Sequence, residues 1–151
     1  MSWEELAATS HYQTAVAIAR ELAAGHVREA SEGLGELINA VARSERRALR
    51  SQLTRLMLHV LKWREQPPRR SASWAVSILQ AREEIAAIQE EVPSLTREAI
   101  EAMWESCTKA ATRQAEAEMG HPAHDPSLTW EEVFETEYPF DWDAAGGGAR
   151  A

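Results

Sequence analysis

Apolar residues recur along this chain at intervals of three and four, with caps, glycines and prolines between the runs. That recurrence predicts helices and no strands. Ser2 and Glu5 stand at capping-box spacing, where hydroxyl and carboxylate each satisfy an orphaned backbone N–H. Beyond them Tyr12, Ala15, Val16, Ala19, Leu22 and Ala23 share one face, and Gly25 stops a first helix near residues 3–24. A second helix is expected from about Ser31 to Glu65, its first turn weakened by Gly33 and Gly35 at about 1 kcal/mol each. Its seam is Leu34, Ile38, Val41, Leu49, Leu53, Leu56, Val60 and Trp63, with Met57 alongside. At 1.5 Å per residue this rod would run roughly 50 Å, so it must kink, overhang or meet a second copy.

Pro67 and Pro68 end that helix, and Ser71 or Ser73 caps the next. The third helix, near residues 72–92, carries a narrow seam of Trp74, Ile78, Ala81, Ile85, Ile88 and Val92, closed by Pro93. The fourth, near 95–119, has Ile100, Met103, Cys107 and Ala110 on its seam, with Ala102, Ala111, Ala115 and Ala117 nearby and Gly120 at its end. Thr129 and Glu132 repeat the capping box and start a short helix to about Glu135. Tyr138 to Trp142 read as extended. The expected fold is therefore an all-α bundle of four main helices with a short fifth, one domain over residues 1–143 and a flexible tail over 144–151.

Charge complicates this picture. The net charge is −8, yet Arg43 to Arg70 holds nine basic residues against Glu45 and Glu65. That segment is +7, which leaves −15 for the rest. Glu98 to Asp143 holds twelve acids against Lys109 and Arg113. Such a split predicts either a basic surface for an anionic partner or two parts of one fold neutralising each other. Arg43, Arg47, Arg50, Arg55 and Lys62 lie opposite the apolar seam, and Leu58 and Leu61 sit among them. Leucines in that position call for a cover, and the acidic, ring-rich segment from Thr129 to Trp142 is the candidate, its acids beside Arg47, Arg55 and Lys62. A solvated basic face is the alternative.

Candidate chemistry is sparse. Cys107 falls on a helix seam, where packing rather than a catalytic thiolate is expected, and a single cysteine excludes an internal disulfide framework. His121, His124 and Asp125 crowd one loop, but a zinc site needs three ordered ligands for catalysis and four for structure, so no metal and no cofactor are expected. Gly33-Leu34-Gly35 lacks the third glycine and the preceding strand of a dinucleotide loop. The acidic start has no signal-peptide character, and no apolar run reaches the ~18 residues that span a bilayer, so a cytoplasmic location is expected.

The densest cluster surrounds the proline corner: His59, Lys62, Trp63, Gln66, Arg69, Arg70 and Trp74. Two indoles and several cations could grip a nucleotide or phosphate. They could equally lock two helices across the turn, with cations laid over the rings, and that structural reading accounts for every residue in the cluster.

The run SERRALRSQLTRLMLHVLKWREQPPRRSASW, followed by Ile78, Gln80-Ala81-Arg82, Ile85 and Pro93-Ser94-Leu95, resembles a bacterial family known as domain of unknown function 29. The resemblance returns around Thr129 to Glu132 and Tyr138-Pro139. It implies an all-helical fold and no established activity. Members tend to carry Asp-x-x-Asn-Leu-x-Glu-Glu-Ile before the Ser-Glu-Arg-Arg motif. Here Gly33 replaces the asparagine and only Glu36 of the carboxylate pair remains, so any polar site there in relatives is diminished. The functional expectation is a helical protein-interaction module or adaptor with a protein partner or a second copy of itself. Nucleic-acid binding through the basic segment, with Arg43, Arg47, Arg50 and Arg55 as its face, is the alternative, and an enzyme comes third.

Overall fold

A computed structural model describes residues 1–140, and the expected tail over 144–151 lies outside the described residues. Six α-helices run in order: α1 (Trp3–Thr9), α2 (His11–Ala23), α3 (Val27–Glu65), α4 (Ala72–Glu91), α5 (Arg97–Ala102) and α6 (Trp104–Met119). A 3₁₀ turn, Pro67–Arg69, joins α3 to α4, and a π-helical turn, Glu131–Glu135, follows α6. No strand occurs among the described residues, and the fold is all-α.

The helix ends sit where the sequence chemistry puts them. Ser2 and Glu5 form their reciprocal capping box, and Ser71 Oγ accepts from the Trp74 N–H at 3.3 Å. Gly25 and Gly120 adopt φ of +83° and +79°, the left-handed region that a side chain disfavours. Thr129 and Glu132 exchange hydrogen bonds at 3.1 Å in each direction.

Two expected helices are broken. Ser10 is extended (φ −156°, ψ 116°), ends α1, and caps α2 by accepting from the Gln13 N–H at 3.1 Å. Met103 (φ −102°, ψ 3°) separates α5 from α6 and turns its own side chain inward, 4% exposed. The second helix also starts four residues earlier than expected, at Val27, so Gly33 lies in its second turn rather than its first.

The chain forms two compact units, Met1–Arg47 and Ala48–Ala151. In the second, one core cluster gathers Leu49, Leu53, Leu56, Met57, Val60 and Leu61 of α3 with Ile78, Ala81 and Ile85 of α4 and Ile100, Cys107 and Ala111 beyond. Leu58 and Leu61 are buried with the rest, because this half of α3 is enclosed on both faces. Cys107 is a packing residue, 1% exposed.

The first unit is built differently. Its buried residues are small: Ala7, Thr14, Ala30, Gly33 and Ala40. Gly33 is required there, since a Cβ would sit 2.8 Å from the Trp3 ring and 2.9 Å from Ile18 Cγ1. Trp3 is fixed by its indole N–H donating to Glu29 at 3.2 Å. The faces expected to be core in this unit are exposed instead: Tyr12 at 78%, Leu22 at 57%, Leu34 at 48%, Ile38 at 59% and Val41 at 38%. The α3 seam therefore holds only from Leu49 onward. Close approach at Gly33 and the alanines sets which side of α3 turns inward here, and the larger side chains fall on another side.

Candidate functional site

The proline corner is assembled by the end of α3. Gln66 leaves helical geometry (φ −128°, ψ 66°), the two prolines begin the 3₁₀ turn, and Arg69 N–H returns to the Gln66 carbonyl at 2.9 Å. Trp63 is 7% exposed. Arg70 Nε donates to the Trp63 carbonyl at 2.7 Å, closing an orphan acceptor of the helix end, and its guanidinium lies 5.1 Å over the Trp63 ring. Tyr138 meets the same indole edge-on at 5.9 Å. Lys62 Nζ stands 4.6 Å over Trp74 and 2.9 Å from the Glu118 carboxylate. His59 donates from Nδ1 to the Arg55 carbonyl at 2.8 Å. Burial, with Lys62 and Arg55 adding to it, outweighs that hydrogen bond and holds the imidazole pKa below its ordinary value. Gln66 is half-buried and Arg69 is exposed.

Lys62 and Trp74 thus engage each other, as do Arg70 and Trp63, while Arg69 faces outward. What the residue pattern did not single out is the neighbouring clasp. Arg64 NH1 donates to Glu132 at 2.7 Å and to the Ser127 carbonyl at 3.0 Å, while NH2 donates to the Asp125 carbonyl. Glu65, its side chain only 6% exposed, accepts from the Asp125 N–H at 3.2 Å and pairs with His124 Nδ1 at 3.1 Å. Burial alone would push the Glu65 carboxyl up; the N–H donors of the 124–125 segment and the His124 ring more than reverse it. His121 turns to the Pro122 carbonyl at 2.9 Å and Asp125 accepts from Ser127, so the loop's three metal-type residues face three different partners. The signal for the clasp is the adjacent Arg64-Glu65 pair, which falls one residue before the Gln66-Pro67 break.

The acidic segment packs within the second unit: Val133, with Leu128 just before the segment, lies in the core, and Trp130, Phe134, Tyr138 and Phe140 pack against it. Its ionic partners differ from the expected ones. Glu132 pairs with Arg64, Lys62 pairs with Glu118 of α6, and Arg55 donates to Gln80 at 3.2 Å. The Arg64 and Glu65 clasp on the preceding loop sets this register. Arg82 then donates to the Val133 carbonyl at 2.8 Å, and Arg97 lies 4.0 Å over Trp130, which stacks on Trp104 at 5.7 Å. Trp142 lies outside the described residues.

The basic face is divided. Arg50 donates to Ser106 Oγ at 2.6 Å, and Arg55 is held by Gln80. Arg43 and Arg47 in the first unit are exposed. Along α6 an open groove of about 720 Å³ is lined by Trp104, Thr108, Lys109, Thr112, Pro126 and Leu128. The i, i+4, i+8 spacing of Trp104, Thr108 and Thr112 marks that face in the sequence. Among the described residues no group of three histidine, cysteine or acidic side chains could hold a metal ion, and no helix is long and apolar enough to cross a membrane.

No curated protein and no solved structure matches this chain. One family does, over residues 8–144, a span that takes in the corner, the clasp and both units. On that match the chain belongs to the family described as domain of unknown function DUF29.

Proposed function

We propose that this protein is a helical protein-interaction module whose first unit presents an apolar face to a partner. One observation carries the reading, an inversion of burial within residues 1–47. The inward positions are alanine, glycine and threonine, while Tyr12, Leu22, Val27, Leu34, Ile38 and Val41 are between 38% and 78% exposed. A monomer's largest apolar patch is typically about 300–600 Å² and is often functional. The second unit, by contrast, buries its large side chains in the ordinary way.

Nucleic-acid binding is the second reading. Exposed Arg43, Arg46 and Arg47 favour it; the ties of Arg50 to Ser106 and of Arg55 to Gln80 weigh against it. Phosphate binding would weaken steeply with salt as counterions are released.

The test is a photo-crosslinking residue placed at Ile38 in the full chain inside cells, with the exposed position Glu84 as control. The module reading expects a discrete protein adduct at position 38 and none at 84. Equal, diffuse labelling at both positions, or adducts with nucleic acid alone, would overturn it.

A further inference from the structure

We propose that the partner of the first unit is a second copy of this chain, joined through the exposed stripe of α3. The inference rests on the interaction-module reading and names its occupant.

The stripe is Val27, Leu34, Ile38 and Val41, spaced seven, four and three, so that at 100° per residue all four project from one side of α3. The positions next to it are Ser31, Gly35 and Ala42. Glu29, Glu32, Glu36, Arg43 and Arg47 fall on the far side of the helix. Glu45 continues the stripe four residues after Val41. In an antiparallel crossing centred on Ile38 it faces Ser31 of the other copy, so no like charges are set against each other.

The shape of the stripe favours a two-fold arrangement. Ile38 stands between Leu34, four residues before it, and Val41, three residues after it. When two such helices cross antiparallel about Ile38, Leu34 of each chain meets Val41 of the other, which is the reciprocal contact an isologous interface demands. Gly35, on the edge of the stripe, has nothing within 4 Å of where a Cβ would stand, so a second backbone can come close there. The four stripe residues present on the order of 400 Å² per chain, so pairing two copies would bury roughly 800 Å², the size of a weak association that dissociates on dilution.

The test is sedimentation of the purified full chain over a concentration series. The expected result is a species of twice 16.9 kDa that dissociates on dilution. The Leu34→Glu, Ile38→Glu double variant should weaken association at least about 100-fold, because it sets four carboxylates together in an apolar contact. Its helical dichroism should be unchanged, since both side chains are about half exposed in the single chain. Should that variant misfold, Ile38→Cys treated with a short bismaleimide gives an independent reading, since Cys107 is 1% exposed. Covalent dimer should form at concentrations where an exposed control, Glu84→Cys, gives none. A chain that sediments as a monomer throughout, with Ile38→Cys labelled only singly, would overturn the second-copy proposal. That result would leave the interaction-module reading to the adduct at position 38, which would then belong to a different protein.

Discussion

Arg64, in the last turn of α3, holds the Glu132 carboxylate at 2.7 Å across 68 residues of sequence. The same guanidinium collects the carbonyls of Ser127 and Asp125, so one side chain fixes the whole return of the chain from α6 to the core. Its planar fork suits several acceptors at once, which an ammonium cannot match. Replacing Arg64 by alanine strands Glu132, whose side chain is 30% exposed, and releases two carbonyls. The expected loss is about 2–4 kcal/mol. Thermal melts should fall by roughly 5–15 °C, with Arg64→Lys in between. An unchanged melting temperature would show that the segment is held by its rings alone.

The clasp predicts acid sensitivity. Glu65 and Glu132 have folded-state pKa values below the ordinary glutamate value: the upward push of burial is overcome by backbone N–H donors and the His124 ring at Glu65, and by the Thr129 N–H and the Arg64 guanidinium at Glu132. A depressed carboxylate contributes stability that is present above its unfolded pKa, about 4.3, and is lost as pH falls through the folded value. His59 acts in the same direction at higher pH. Burial depresses it, so protonation begins to favour the unfolded chain once pH drops below about 6.5. Denaturant midpoints should therefore fall from pH 7 toward 5 and fall again below pH 4.5. Glu65→Gln should flatten the lower limb and His59→Gln the upper one. A profile that Glu65→Gln leaves unaltered would contradict the assignment.

Two glycines of α3 make opposite predictions. Alanine at Gly35 meets nothing within 4 Å and should stabilise the helix by up to ~1 kcal/mol. Alanine at Gly33 meets the Trp3 ring and Ile18 at less than 3.0 Å, so one of them must move. Overpacking of that kind costs roughly 1–3 kcal/mol, which exceeds the propensity gain. In the dissociated chain at low concentration, hydrogen exchange over residues 3–40 should speed up in Gly33→Ala and slow in Gly35→Ala. Equal effects would mean that α1 and α2 do not pack on α3 at Gly33.

Much of this fold is written locally. Ser2, Gly25, Pro67, Ser71, Gly120 and Thr129 mark boundaries by chemistry that acts within a few residues, and each acts as such. The Ser10 break also has a local signal, since Ser10-x-x-Gln13 repeats the spacing of Ser2-x-x-Glu5. Met103 has none: no glycine, proline or cap accompanies it, and its turn is set by burial of its own side chain. Periodicity finds an apolar face but cannot say what covers it. That is why Ile85 of α4, 1% exposed, and Ile38 of α3, 59% exposed, look alike in sequence. The Arg64 clasp stayed hidden because its acceptors are mostly backbone carbonyls far along the chain.

Trp63 and the docked segment should be structural. Alanine at Trp63 removes a 7% exposed indole together with its contacts to Arg70 and Tyr138, an expected loss of about 3–5 kcal/mol. Truncation before Pro126 removes Leu128 and Val133 from the core and should lower the melting temperature and raise dye binding to apolar surface. A stable Trp63→Ala protein that had lost a ligand would return the corner to a binding role.

Residues 1–47, with so small a core, should depend on a partner for their order. Amide hydrogen exchange of the purified chain at low and high concentration measures this directly. Protection across Val27 to Val41 should rise with concentration, while Leu49 to Leu61, enclosed within the second unit, should exchange at the same slow rate throughout. Protection of Val27 to Val41 that already equals that of Leu49 to Leu61 at the lowest concentration, and does not change, would contradict it.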